Sequence, residues 1–126
     1  KGKPTFVSVP LDLDVGDVIR AAHAIYLLCV NSYPTPLEEI RIPDFHSTIF
    51  SGISDHSIGI GAALYASAHG AEYLEKHYTM SVAWQKQTEK AHLGSMTMDD
   101  LRLLSRLTSE IEMVVATHCS RPATAT

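Results

Sequence analysis

Short apolar runs recur along the chain, separated by polar or helix-forming stretches, in a strand–helix rhythm. Thr5–Val9 alternates as a strand does, and Asp14, followed by Asp17, opens a helix predicted to reach about Ile25. Tyr26–Asn31 reads as a second strand, closed by Tyr33-Pro34-Thr35-Pro36, and Leu37–Ile40 only hints at the helix that should follow. Phe50–His56 and Ala71–His77 read as the third and fourth strands. Between them lies a helix expected to be capped by Ser57 and stopped by Gly70. Thr97 with Asp100 resembles a capping box, after which Leu101, Leu104, Leu107, Ile111, Val114 and Val115 fall on one helical stripe. Residues 120–126 are expected to fray, leaving 1–119 as one domain.

Side-chain alternation carries the first functional inference. In the third strand Ser54 and His56 share a face opposite Asp55, and in the fourth Glu75 and His77 share a face opposite Lys76. A strand, a crossover helix and a strand make the two strands parallel, so both polar ends point the same way. Two histidines then meet at one mouth, the arrangement of a metal site. The Gly59-Ile60-Gly61 run is too short to signal nucleotide binding; its glycines are expected to let the helix pack closely, with Ser57 and nearby N–H groups free to help an anion.

Four such units in 126 residues suggest half of an eight-stranded α/β barrel, which takes about 250 residues; an open α/β sheet is the alternative. Half a barrel has two bare edges. Two joins look cramped, at Ile25–Tyr26 and over Glu38–Ser47, which suggests residues absent at those places. The net charge of −4, with no basic run, argues against a nucleic-acid surface. Cys29 and Cys119 are too sparse for a disulfide framework, and neither a spanning segment nor a leader pattern stands out, so a reduced, cytoplasmic protein is expected.

Three stretches, Leu28–Pro36, Gly52–Ile60 and Leu74–Thr79, in that order and spacing, resemble the sialic acid synthase (N-acetylneuraminate synthase) family. Lys1–Ser8 is similar to that family's fifth barrel strand, so the likeness covers roughly Lys1–Leu107. The resemblance implies a (β/α)8 TIM barrel of which this chain holds strands five to eight. It implies a transferase that condenses phosphoenolpyruvate with N-acetylmannosamine or a related N-acetylated amino sugar, releasing phosphate. Members commonly act as homodimers and carry a small C-terminal domain. The phosphate-binding lysines expected from the family lie on earlier strands, so these residues alone are expected not to catalyse.

The resemblance makes His56 and His77 the metal ligands. Imidazoles with otherwise oxygen ligands suit Mn²⁺, with Mg²⁺ or another divalent ion as alternatives. Glu75 is a candidate catalytic group that orients a ligand, binds a metal-bound water or moves a proton; the competing reading is a solvated strand carboxylate. The resemblance assigns Asn31 and Ser54 to the enolpyruvate site and Tyr33 to the amino sugar, while Tyr33 could equally pack its loop. Ser8 completes a set of small polar groups at strand C-termini. The family's loop after Thr79 carries an aspartate that holds sugar hydroxyls. Here Thr88 stands at that position, with Glu89 as a substitute. Asp55 is expected to support the site or cap the helix, Lys76 to be structural, and His23, His46, His69 and His118 to be structural as well; for His92 the two readings are a substrate contact and a merely exposed loop histidine, of which the second is favoured. Two competing functions are a non-catalytic sugar- or metal-binding barrel and a metal-dependent hydrolase.

Overall fold

The computed structural model describes residues 2–10, 13, 23–84 and 90–119. Four strands, β1 (Thr5–Pro10), β2 (Ala24–Cys29), β3 (Gly52–Asp55) and β4 (Tyr73–Lys76), form one sheet in the order β1-β2-β3-β4, every pair parallel. Two α-helices follow the last two strands, α1 (Gly61–Ala68) and α2 (Met98–Cys119). The strand order never reverses, unlike a doubly wound open sheet at its switch point. Among the described residues no helix is long and apolar enough to cross a membrane.

The two faces of the sheet differ. Val9, Tyr26, Leu28 and Ile53 face a core closed by Phe45, Phe50 and Ala66. Register puts Phe6, Ser8, Leu27, Cys29, Gly52, Ser54, Tyr73 and Glu75 on the other face. In a flat sheet β1 and β4 would lie roughly 14 Å apart. The Phe6 and Tyr73 rings nevertheless meet edge to face at 5.3 Å. The sheet therefore curves, with the Ser54 and Glu75 face on the inside.

Several expectations need correction. Ala24 and Ile25 belong to β2, so no helix reaches Ile25 as expected, and His23, whose φ is +71°, lies in a turn. The join expected at Ile25–Tyr26 therefore falls inside a strand; most of the predicted helix itself, residues 14–22, lies outside the described residues. Apolar residues on both faces of Ala24–Cys29 gave no period to mark the boundary. The connection from β2 to β3 carries no α-helix. It holds two 3₁₀ turns, Leu37–Glu39 and Phe45–Ser47, because Pro34, Pro36 and Pro43 interrupt any longer helix.

Ser57 does not cap α1. The helix begins at Gly61 behind Ile60, whose side chain makes no cap, and Ser57 is fully buried four residues earlier. The close packing assigned to Gly59 and Gly61 is supplied by Ala62, Ala63 and Ala66, since both glycines border open space. Gly70 does end the turn after α1, at φ +88°. The capping box before α2 forms as expected: Thr97 donates through its N–H (2.9 Å) and hydroxyl (2.8 Å) to Asp100, whose N–H returns to Thr97 Oγ1 at 3.3 Å. Along α2 Leu104 is the buried member of the stripe, packed with Ala63 and Met96, while Leu101 and Val114 are exposed.

Candidate active site

His56 and His77 are the residues immediately beyond β3 and β4, and their rings converge, with centroids 5.4 Å apart. Tyr33 lies against both, at 4.3 Å from the His56 ring and 6.1 Å from the His77 ring. One layer deeper on the same face, the Ser54 hydroxyl donates to Glu75 Oε1, and Ser54 Oγ sits 3.4 Å from His56 Nε2. His56 Nδ1 lies 3.2 Å from the Val30 carbonyl. A carbonyl only accepts, so Nδ1 carries the imidazole proton. Ser54 gives its single proton to Glu75, and the Nε2 lone pair of His56 stays available.

Tertiary contacts fix these positions. Thr35 N–H donates to the His56 carbonyl at 3.1 Å, and Met96 N–H donates to the His77 carbonyl at 2.7 Å. Gly94 lies so close to the His56–Ser57 backbone that a Cβ there would stand 2.7 Å and 2.6 Å from those carbonyl oxygens. On the opposite face Lys76 Nζ meets Asp55 Oδ2 at 3.0 Å, with side chains 2% and 0% exposed. Lys76 is thus occupied away from the inner face, as alternation predicts. Asp55 Oδ1 also accepts from Ser57 N–H (2.8 Å) and hydroxyl (2.7 Å). That use of the Ser57 N–H removes the anion-binding role expected for it.

The structure thus brings together His56, His77, Ser54, Glu75 and Tyr33. Asn31 is exposed two residues beyond β2. Ser8 is not at a strand end: β1 continues to Pro10, which occupies the layer of Ser54 and Glu75, and Ser8 lies one layer further from the mouth. Thr88 and Glu89 lie outside the described residues. Sequence reasoning missed Thr35, Gly94 and Met96, which act through their backbones and leave no side-chain signature. It also undervalued His92, whose ring stands 5.4 Å from that of His77.

A divalent cation fits this donor set in part. The proton on His56 Nδ1, fixed by a backbone carbonyl, is the arrangement that orients a ligating imidazole. Among the described residues no three His, Cys, Asp or Glu side chains are placed to hold an ion by themselves. Two imidazoles thus make only part of the coordination sphere a divalent cation needs.

The NeuB family model matches residues 13–119. Over 74 residues the chain is 32% identical to a pseudaminic acid synthase of Campylobacter jejuni, covering 55% of this chain and 22% of the relative. Over 91 residues it is 30% identical to an N,N'-diacetyllegionaminic acid synthase of the same species, covering 68% and 26%. A crystal structure of an N-acetylneuraminic acid synthetase from Leptospira borgpetersenii, in complex with citrate, superposes with a TM-score of 0.61 at 28% identity, covering 83% of this chain and 36% of that one. The chain spans about a quarter of the length of these curated relatives.

Proposed function

This chain belongs to the NeuB family, and from that premise we propose that it forms strands five to eight of a (β/α)8 barrel synthase. The reaction is condensation of phosphoenolpyruvate with N-acetylmannosamine or a related N-acetylated amino sugar to a nonulosonic acid, with release of phosphate. The observation that carries the reading is the convergence of His56 and His77, above Ser54 and Glu75, on the concave face at the ends of parallel strands in unreversed order. Catalytic groups of barrel enzymes gather at that end.

His56 and His77 hold the divalent ion, Mn²⁺ by donor preference, which supplies Lewis-acid polarisation of the sugar carbonyl when bound. The chain's own residues do the rest of their share at fixed atoms. Ser54 donates to Glu75 and keeps that carboxylate beside His56. Glu75 is the inner-face group placed to take or return a proton, and the exposed edge of Tyr33 offers the amino sugar an apolar wall. The cationic partners that a phosphoenolpyruvate trianion needs are not supplied by Lys76, which is buried against Asp55 on the other face. They come from the preceding barrel strands, and the active protein is a cytoplasmic homodimer.

The test has two steps. Mn²⁺ titration of the chain, followed by water-proton relaxation, is expected to show one site that His56→Asn and His77→Asn each remove. The chain is then grafted in place of the matching segment of the Campylobacter jejuni pseudaminic acid synthase. Phosphate release from phosphoenolpyruvate, dependent on that enzyme's amino sugar and on Mn²⁺, is the expected result. Retained metal binding without phosphate release favours a non-catalytic homologue, and metal-dependent hydrolysis needing no phosphoenolpyruvate favours a hydrolase.

A further inference from the structure

The last backbone pair of the β3–β4 ladder is Asp55 with Lys76. His56 and His77 come one residue later, beyond the ladder, where no β3–β4 pairing holds the two chains together. At that boundary the side chains of the final pair form the buried contact described above, on the face opposite the imidazoles. Lys76 Nζ donates in addition to the Ser57 carbonyl, and Asp55 Oδ1 holds Ser57 through both its N–H and its hydroxyl. His56 is therefore bracketed by two residues locked into one network. His77 directly follows the third.

From this juxtaposition we infer that the Asp55–Lys76 ion pair is the positioning device that sets the separation of the two imidazoles. The inference rests on the two-histidine reading of the site and adds the residues that hold it in shape. Fold stability alone does not call for such a pair, because taking two charges out of water is costly and well-packed apolar replacements of buried ion pairs are often neutral or stabilising. A directional contact between two strand ends does what an apolar pair cannot: it fixes how far apart, and at what angle, the next residue on each strand emerges. Asp55 and Lys76 touch no reacting group, so they are positioning residues and not catalytic ones.

The experiment removes the charges while keeping shape, in the double variant Asp55→Asn with Lys76→Met. Asn keeps an acceptor for Ser57, and Met keeps the apolar stem of lysine. The first readout needs no metal: long-range proton–nitrogen NMR of the histidine rings, with His69, whose Nδ1 lies 2.9 Å from the Tyr65 carbonyl on α1, as an internal control. The expected result is cooperative unfolding as in the parent, unchanged His69 signals, loss of the hydrogen-bonded Nδ1–H of His56, and a weakened ring-to-ring Overhauser effect between His56 and His77. The second readout is Mn²⁺ affinity, expected to fall at least tenfold. A folded double variant whose His56 and His77 signals match the parent overturns the inference. A parent that binds no Mn²⁺ overturns the cation reading of the site instead, and the ring signals still decide this one. If the double variant does not fold, Asp55→Glu replaces it. That change keeps the pair but lengthens it, and is expected to move the same two ring signals; unmoved signals again overturn the inference.

Discussion

Two glycines, Gly61 between the paired histidines in sequence and Gly94 after them, differ in what an added methyl group meets, and the structure assigns opposite signs to their replacement by alanine. At Gly94 an added Cβ meets backbone: the Ser57 oxygen at 2.6 Å and the His56 oxygen at 2.7 Å. A carbon–oxygen contact needs roughly another 0.5–1 Å to be comfortable. Ser57 cannot supply it, because its N–H, hydroxyl and carbonyl are all engaged by Asp55 and Lys76 and it is fully buried. The His56 carbonyl already accepts from Thr35. The loop that carries Gly94 must therefore lift, stretching the 2.7 Å bond from Met96 to the His77 carbonyl and the 2.8 Å bond from Thr79 to the Met96 carbonyl. Overpacking of this kind costs about 1–3 kcal/mol. Loss of glycine's freedom in the unfolded chain returns about 0.4–1 kcal/mol. Gly94→Ala is thus expected to destabilise by about 1–2 kcal/mol and to shift the ring signals of His77 and His92. At Gly61, the first residue of α1, a Cβ meets nothing within 4 Å. Gly61→Ala is expected to stabilise by about 0.5 kcal/mol, through helix propensity and the unfolded state. Urea unfolding of parent and both variants in one buffer gives the comparison. Equal signs, or a neutral Gly94→Ala with unmoved histidine signals, would refute the claim that this loop is clamped on the strand ends.

Gly52→Ala is expected to be worse than Gly94→Ala, since its Cβ would stand 1.8 Å from the Tyr73 carbonyl oxygen of the neighbouring strand; a variant as stable as the parent by urea unfolding would contradict the β3–β4 register. Tyr33→Ala is expected to shift the His56 ring protons more than those of His77, because the tyrosine ring is nearer to the first; equal shifts in a proton spectrum would place that ring elsewhere. The Asp100 carboxyl is held below its ordinary value of 3.8 by the Thr97 backbone N–H, then by the Thr97 hydroxyl, with a smaller pull from Lys76. A depressed carboxyl pKa contributes stability that is complete above 3.8 and is lost as pH falls through the lower folded value. Thr97→Ala is therefore expected to cost about 0.5–2 kcal/mol at neutral pH and to show a smaller further loss on acidification below pH 3.8 than the parent; identical acid profiles in circular dichroism would count against the cap.

Periodicity alone made the site's main side chains legible. Alternation separates Ser54 and His56 from Asp55, and Glu75 and His77 from Lys76, and the crossover through α1 forces both strand ends to the same side. What alternation could not reveal was the depth at which β1 stops. Pro10 lies beyond the strand expected over Thr5–Val9, yet it is the last residue paired with β2, and that places Ser8 a layer too deep. Nor could a sequence show the clamps. Thr35, Gly94 and Met96 act through backbone atoms, whose donors and acceptors are the same for almost every residue type, so no pattern of side chains announces them.

The helix after β3 shows the same limit from the other side. Ser57 before a run of small residues satisfies every local rule for a cap, and the rule fails because a stronger local partner is two residues away. Asp55 takes both the N–H and the hydroxyl of Ser57, which draws the chain back under the strand end and delays the helix to Gly61. A free serine cap stabilises a helix by roughly 1 kcal/mol. Leaving Asp55 or Lys76 buried without its partner would cost about 3–5 kcal/mol, and Ser57 is part of what satisfies both. Satisfying the buried charges therefore outweighs capping the helix, and the displaced helix start is the local consequence of a charge pair that sits directly behind the two histidines.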